Sequence, residues 1–273
     1  MEPRLQRRIQ RYGWDLAAAD YEPLWQAQLD RAQTELIACA SLAPGQRVLD
    51  VACGTGLVAF SAARAVGPDG WIVGVDLSGQ MVDAARQRAR ERKVSNVSFA
   101  RMDAERLDLP EASFDVALCA LGLMYMPDPG QAVLEMRRVL RPGGRMVIAV
   151  WGERSLCGWS ALFPIVDAEV ASEVCPLFFR LGQKDTLARL CADAQFETIE
   201  QHRLAATLTY ADADEASSAA LVGGPVALAW SRLPQHVRGR ARRRYAETLE
   251  PGPHDRGDRS HRDFVILAAA AAC

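Results

Sequence analysis

Val48-Leu49-Asp50-Val51-Ala52-Cys53-Gly54-Thr55-Gly56 is an apolar run that closes on a glycine turn. About twenty residues on comes a second apolar run that ends in an acid, Gly74-Val75-Asp76-Leu77-Ser78. A strand, a glycine turn, a helix and a strand ending in an acid make a βαβ unit suited to a nucleoside. Gly54 and Gly56 let the backbone turn tightly and approach a ligand that a Cβ would push away. Asp76, at the tip of the second strand, can accept two hydrogen bonds from a ribose diol. Gly54 to Ala59 fits a dinucleotide fingerprint loosely, but Asp50 beside the turn would repel a pyrophosphate. No Arg or Lys between Asp50 and Arg64 offsets that charge. A sulfonium cofactor, cationic at sulfur and carrying an amino-acid tail, suits the acidic loop better.

Outward from this unit, short apolar strands alternate with amphipathic helices. Strands are predicted at 47–52, 71–75, 97–101, 114–119 and 145–151, and helices at 57–66, 78–91 and 130–139 with Ser78 as an N-cap. This is the doubly wound pattern, with the ligand motifs at the carboxyl ends of the strands. Residues 1–43 read as two helices interrupted near Asp20 to Pro23. Beyond Gly152 the reading is one or two helices in 155–181, a helix at 186–194 and a strand at 197–210. Helices broken at Gly223-Gly224-Pro225 follow in 213–250, then a closing strand at 259–271.

Four motifs, in order, resemble those of the class I S-adenosylmethionine-dependent methyltransferases. Val48 to Gly56 resembles their first motif and Asp76 their ribose-binding acid. Phe99 to Glu105 is similar to the strand and acidic turn beside the adenine, and Phe114 to Ala120 to their fourth strand. Arg138 to Arg145 resembles the helix end and turn before strand five. The resemblance covers roughly residues 45 to 152. It implies a Rossmann-like, doubly wound, mostly parallel seven-stranded α/β sheet, with helical N-terminal and C-terminal lid insertions. The implied organisation is a lid segment at 1–43, a cofactor-binding core at 44–152, and the rest of the sheet with a helical substrate cap at 153–273. The last two strands of such a fold form a hairpin, and here about 50 residues are inserted between them.

The resemblance also implies S-adenosyl-L-methionine as cofactor and assigns residues to it. Ala52, Cys53 and Gly54 would line the methionine and ribose side, with Asp50 ordering the loop. Asp76 would bind the ribose hydroxyls, and Leu77 and Met81 would pack on adenine. Asp103 would accept from the adenine amino group, Ala104 would offer its N–H, and Cys119 would present its carbonyl to the ammonium. Members of the family usually carry glycine at the position of Ala52; alanine is accommodated there if its φ is negative. Ala120-Leu121-Gly122-Leu123-Met124-Tyr125-Met126 lacks the Asn/Asp/Ser-Pro-Pro-aromatic stretch of nucleic-acid amino-methylating enzymes. Its apolar character implies a small apolar or aromatic acceptor.

The same stretch resembles the ubiquinone and menaquinone C-methyltransferases. That group ends strand five with Glu-x-Ser, whereas this chain has Val150-Trp151-Gly152, so the broader small-molecule methyltransferases are the safer home. Transfer to an oxygen or carbon nucleophile by in-line displacement needs alignment and exclusion of water, so no catalytic acid or base is assigned. Tyr12, Tyr21 and Tyr125 are candidates for the substrate side, with Trp14 and Trp25 in the same aromatic cluster. The alternatives are a non-catalytic S-adenosylmethionine-binding regulator, an RNA methyltransferase, or an NAD-dependent oxidoreductase.

The 273 residues carry a formal net charge of −2, which gives no electrostatic case for nucleic acid or an anionic membrane. Arg238, Arg240, Arg242, Arg243 and Arg244 spread around a helix rather than forming one stripe. Seven cysteines without a C-x-x-C pattern fit a reducing cytoplasm. Met1 to Asp20 carries arginines throughout and does not read as a signal segment. Phe264 to Cys273 is too short to span a bilayer and reads as a buried strand. His202, His236, His254 and His261 show no metal-ligand spacing, and no metal is expected. The expected partner is a small-molecule substrate, and the chain is expected to be a monomer or homodimer.

Overall fold

The computed structural model describes residues 2–170, 178–251 and 258–272. Cys175, His254 and Cys273, named in the sequence reading, lie outside the described residues, as do 171–177 of the helical stretch expected at 155–181. The chain opens with α1 (Pro3–Ala40), then β1 (Arg47–Val51), α2 (Leu57–Val66), β2 (Trp71–Asp76), α3 (Gly79–Glu91) and β3 (Val97–Arg101). It continues through β4 (Phe114–Ala120), α4 (Pro129–Val139), β5 (Leu140–Trp151), α5 (Leu162–Asp167) and α6 (Thr186–Asp193). The last part holds β6 (Phe196–Tyr210), α7 (Ala213–Leu221), α8 (Ala227–Arg232), α9 (Gln235–Ala246), β7 (Glu250–Pro251) and β8 (Asp258–Ala271).

Seven strands form one twisted path in the order β3-β2-β1-β4-β5-β8-β6, and the two-residue β7 adds an eighth by pairing with β8. The pairs from β3 to β5 are parallel, while β8 runs antiparallel to β5 and β6. The doubly wound sheet is therefore present, and β6 and β8 pair across the inserted residues as the sequence implied. Strands β1 and β4 and the second half of β5, residues 146–151, are buried almost throughout because helices cover both faces, and they read as largely apolar runs. Ser78 caps α3 by accepting the Met81 N–H at 3.1 Å. Arg138 pins the turn before β4: its guanidinium donates to the carbonyls of Leu107 and Leu109 at 2.9 and 2.8 Å.

The N-terminal segment departs from the sequence reading. It is one continuous 38-residue helix, with Pro23 inside it. Proline removes one backbone hydrogen bond from the ladder and strains the preceding turn. Tertiary contacts on both sides outweigh that cost. Trp25, Leu29, Ala32, Leu36 and Ala40 form a buried stripe at helical spacing. On the N-terminal side of the proline, Glu22 pairs with Arg88 of α3 at 2.6 Å and with Arg92, the residue just after that helix, at 3.1 Å. The stretch expected to be helical at 155–181 contains two short 3-10 turns followed by α5, which ends at Asp167.

The C-terminal cap is joined to the sheet by an aromatic cluster. Trp151, at the end of β5, stacks on Phe264 at 4.6 Å and packs against Trp159 at 4.8 Å. Trp25 of α1 meets both tryptophans edge-on at 6.2 and 5.5 Å, and its indole N–H donates to Ala219 on α7 at 2.8 Å. Such pairs contribute about 0.5–1.5 kcal/mol each beyond the area they bury. The same cluster thus ties α1, β5, β8 and α7 together. No helix among the described residues is long and apolar enough to cross a membrane.

Truncating the centre of this cluster, Trp151→Ala, is expected to lower the unfolding free energy by about 3–5 kcal/mol. Urea titration followed by far-ultraviolet circular dichroism measures it. A loss below about 1 kcal/mol would mean the cap is held by other contacts.

Candidate functional site

The loop after β1 leaves the ordinary backbone regions at three positions. Ala52, Gly54 and Gly56 all adopt positive φ, at 56°, 53° and 90°. For Ala52 this overturns the expectation of a negative φ. The left-handed conformation crowds its Cβ against the backbone, and the structure makes room from the opposite side. Gly122, after β4, faces Ala52 so closely that a Cβ there would collide with the Ala52 Cβ. Ala52 and Gly122 thus form one size-matched pair.

Asp76 holds the loop in place. One carboxylate oxygen accepts the Gly54 N–H at 2.9 Å and the other the Ser78 N–H at 2.8 Å. Burial pushes its pKa up to about 6, with the Ser78 and Gly54 amides pulling down and Asp15 pushing up. Asp50 lies behind the loop, fully buried, and no hydrogen bond of ordinary geometry reaches either of its oxygens. Burial first, then the charge of Asp76, pushes its pKa up to about 8, with the Ala59 amide opposing. Tyr21 of α1 sits over Gly54, and its hydroxyl is raised by burial and then by Asp76 and Asp50.

These residues wall a cavity enclosing about 760 Å³, its open mouth included. Of the residues expected from sequence, it gathers Ala52, Gly54, Asp76, Leu77, Met81, Asp103, Ala104, Tyr21 and Tyr125. Asp50 and Cys53 line a smaller annex of about 250 Å³, which shares Tyr21, Ala52 and Ala120 with the main cavity. Two expected residues lie outside both. Cys119 is buried within β4, paired with Ile148, and Ala120 and Leu121 form the wall instead. Tyr12 is 48% exposed on α1, beneath the guanidinium of Arg11, because its position on the helix turns it to solvent.

The rest of the wall combines residues left without a role in the sequence reading, among them Arg7, Gln10, Met102 and Pro127, with Trp14 and members of the apolar run Ala120 to Met126 that it had pointed to. Arg7 of α1 reaches across to pair with Asp103 at 3.1 Å and with Glu105. Gln10 and Trp14 follow it along α1, and Met102, Leu121, Gly122, Met126 and Pro127 complete the lining. Trp14 meets Tyr21 at 5.7 Å and Tyr125 at 5.1 Å, both edge-on. Tyr125 in turn meets Phe178 at 5.2 Å, which connects the wall to the cap. The aromatic cluster of the N-terminal segment was visible in sequence. Arg7 was not, since nothing in the linear order relates it to Asp103.

Three carboxylates, Asp50, Asp76 and Asp103, thus surround a space otherwise lined by apolar and aromatic groups. The one arginine on the main wall is already paired. Asp50 in particular is an orphaned buried acid facing the annex, a cost that a cationic group in that space would relieve. The aromatic faces of Trp14, Tyr21 and Tyr125 are also suited to a cation. The residues present therefore fit a ligand with a ribose, a purine and positively charged sulfonium and ammonium groups.

Comparison with known proteins agrees with this geometry. A protein family described as methyltransferase domain matches residues 42–198. A ubiquinone/menaquinone biosynthesis C-methyltransferase, UbiE of Pseudomonas paraeruginosa, is 34% identical over 216 residues, covering 78% of this chain and 80% of that protein. Among solved structures, YcgJ of Bacillus subtilis has a TM-score of 0.63 at 19% identity, over 89% of this chain and 99% of that one. Phosphoethanolamine N-methyltransferase 2 of Haemonchus contortus, in complex with S-adenosyl-L-methionine, has a TM-score of 0.61 at 17% identity, over 95% of this chain and 57% of that one. The chain belongs to the methyltransferase-domain family and is a class I S-adenosylmethionine-dependent methyltransferase.

Two outcomes follow from the strained loop. Gly122→Ala is expected to destabilise the protein by about 1–3 kcal/mol through overpacking. Adding Ala52→Gly should recover most of that loss. Chemical denaturation of the two single variants and the double variant gives the coupling, and strictly additive effects would mean the two positions do not share a space. The second outcome concerns pH. A carboxylate whose folded pKa is raised stabilises the fold at low pH and loses that contribution as pH rises through the folded value. The ligand-free protein should therefore lose thermal stability progressively from about pH 4, just above the ordinary carboxylate value, to about pH 8, the folded value of Asp50, and Asp50→Asn should flatten the decline. A melting temperature independent of pH across that window would mean that Asp50 ionises without cost.

Proposed function

We propose that this methyltransferase transfers a methyl group to an oxygen or carbon nucleophile of a small apolar or aromatic metabolite. The observation that carries the acceptor class is the wall beyond β4. Ala120, Leu121, Gly122, Tyr125 and Met126 join Trp14 and Tyr21 there to form a surface with few polar atoms. The name of the Pseudomonas relative, a C-methyltransferase of quinone biosynthesis, favours a ring carbon as the acceptor atom. Val150-Trp151-Gly152 in place of Glu-x-Ser favours an acceptor that differs from that relative's. We assign the enzyme to the cytoplasm; the five described cysteines are all free thiols, in keeping with a reducing compartment.

S-adenosyl-L-methionine, when bound, supplies an electrophilic methyl group on a sulfonium. The chain's own residues do the holding. Asp76 keeps lone pairs for the two ribose hydroxyls while it retains the Gly54 and Ser78 amides. Leu77 and Met81 pack on the adenine, and Asp103 with the Ala104 N–H reads its edge. Arg7 fixes the orientation of Asp103 and ties α1 over that end of the cavity. Asp50, through the annex it shares with Tyr21 and Ala52, offsets the positive charge of the amino-acid tail. Trp14, Tyr21 and Tyr125 exclude water and align the acceptor, which is most of what an in-line displacement requires.

Calorimetric titration with S-adenosylhomocysteine tests the site. Micromolar binding is expected for the wild type, with at least about a hundredfold loss in Asp76→Ala, since two charge-assisted hydrogen bonds disappear. Wild-type binding that Asp76→Ala leaves intact would move the ribose elsewhere. A screen of phenols and quinols with labelled cofactor then tests the acceptor class. Transfer only to polar amines or to RNA would overturn it.

A further inference from the structure

Far from the cofactor cavity, the last turns of α1 meet the edge strand β6. Glu35 and Cys39 stand one helical turn apart on the same face of α1. His202 of β6 reaches that face, with its Nε2 3.1 Å from a Glu35 carboxylate oxygen. The Cys39 Sγ lies 4.0 Å from the same oxygen, and the three donor atoms all fall within 4.8 Å of one another. About fourteen residues of helix, some 21 Å, separate Glu35 from Tyr21 at the cavity, so this grouping is no part of the methyl-transfer site.

Thiolate, imidazole and carboxylate together are the donor set that zinc prefers, at about 2.3 Å from sulfur and about 2.0–2.2 Å from nitrogen and oxygen. Donors at those bond lengths around a tetrahedral ion lie roughly 3.3–3.8 Å apart. The separations seen here bracket that range, so side-chain adjustments of about 1 Å or less would close the site. We propose that Glu35, Cys39 and His202 bind one zinc ion, with water completing the tetrahedron. Both supporting elements are held firmly. His202 sits inside the β6–β8 pairing opposite Ile266, and the Arg145 guanidinium donates to the Cys39 and Ala40 carbonyls at 3.4 and 3.2 Å.

The surroundings suit a cation. Glu200, two residues before His202 and on the same side of β6, adds a second carboxylate charge beside Cys39, while Arg145 opposes it. Ligation requires the Cys39 thiolate, so capture of the ion displaces the thiol proton into solvent. A bound ion would fasten the helix that carries Arg7, Trp14 and Tyr21 to the far edge of the sheet. Its role is that of a structural clip on α1.

The test is titration of chelator-stripped full-length protein with cobalt(II), followed by zinc. Expected are one equivalent bound, a thiolate-to-cobalt charge-transfer band, and the intense visible bands of a tetrahedral site, all bleached by zinc. Cys39→Ser should abolish the charge-transfer band, and His202→Ala should weaken binding at least about tenfold. Zinc should raise the melting temperature of the wild type and leave that of Cys39→Ser unchanged. Unchanged S-adenosylhomocysteine binding by both variants confirms that they fold. A weak octahedral spectrum, no stoichiometric binding, or a charge-transfer band that survives Cys39→Ser would overturn the site.

Discussion

The fold and the cavity both depend on one buried carboxylate. Asp76 takes its two hydrogen bonds from Gly54 on the loop after β1 and from Ser78 at the start of α3. It therefore locks two crossovers of the sheet to each other at the point where their strands end. Its burial makes the charge costly, which the raised pKa registers, and the backbone amides make it tolerable. A neighbouring acid, Asp50, has only the Ala59 amide to oppose its burial and raises the local cost again. Such concentrations of unfavourable charge are characteristic of binding sites, where the ligand supplies what the apo fold lacks.

Helix α1 adapts to this constraint from outside. It crosses the carboxyl end of the sheet and touches the site at Arg7, Trp14 and Tyr21, each seven positions from the next, about two helical turns, so that they share one face. Beyond Pro23 the same helix turns apolar and enters the aromatic cluster around Trp25, Trp151 and Trp159. The cavity wall and the core of the cap are thus joined by one rigid element. A change in how α1 docks would be felt at the ribose, at the acceptor wall and in the cap together.

The pair Ala52 and Gly122 shows how strain at the loop is accommodated. An alanine in the left-handed region costs about 1–2 kcal/mol relative to an ordinary conformation. Its methyl group is admitted because the facing position, Gly122, has none. Leu121, beside that glycine, also has positive φ, and its N–H is held by the Ala149 carbonyl at 2.8 Å. Both sides of the cavity floor are therefore bent out of the ordinary, and both are fixed by hydrogen bonds to neighbouring strands.

The sequence by itself determined the parallel strands, their doubly wound class and the acidic glycine loop, because each depends on local spacing. An apolar run, a glycine and an acid at the next strand end are bound to meet in a βαβ unit, so Gly54 and Asp76 were legible as a pair. The tertiary structure alone decided what closes over them. Arg7 meets Asp103 because α1 continues unbroken through Pro23. Tyr12 turns away while Trp14 turns in, because two residues along a helix rotate a side chain by more than half a turn. The sign of φ at Ala52 depended on a glycine seventy residues distant. Glu35, Cys39 and His202 have no common signature in the sequence, since a helix near one end of the chain and a strand near the other are brought together only by packing.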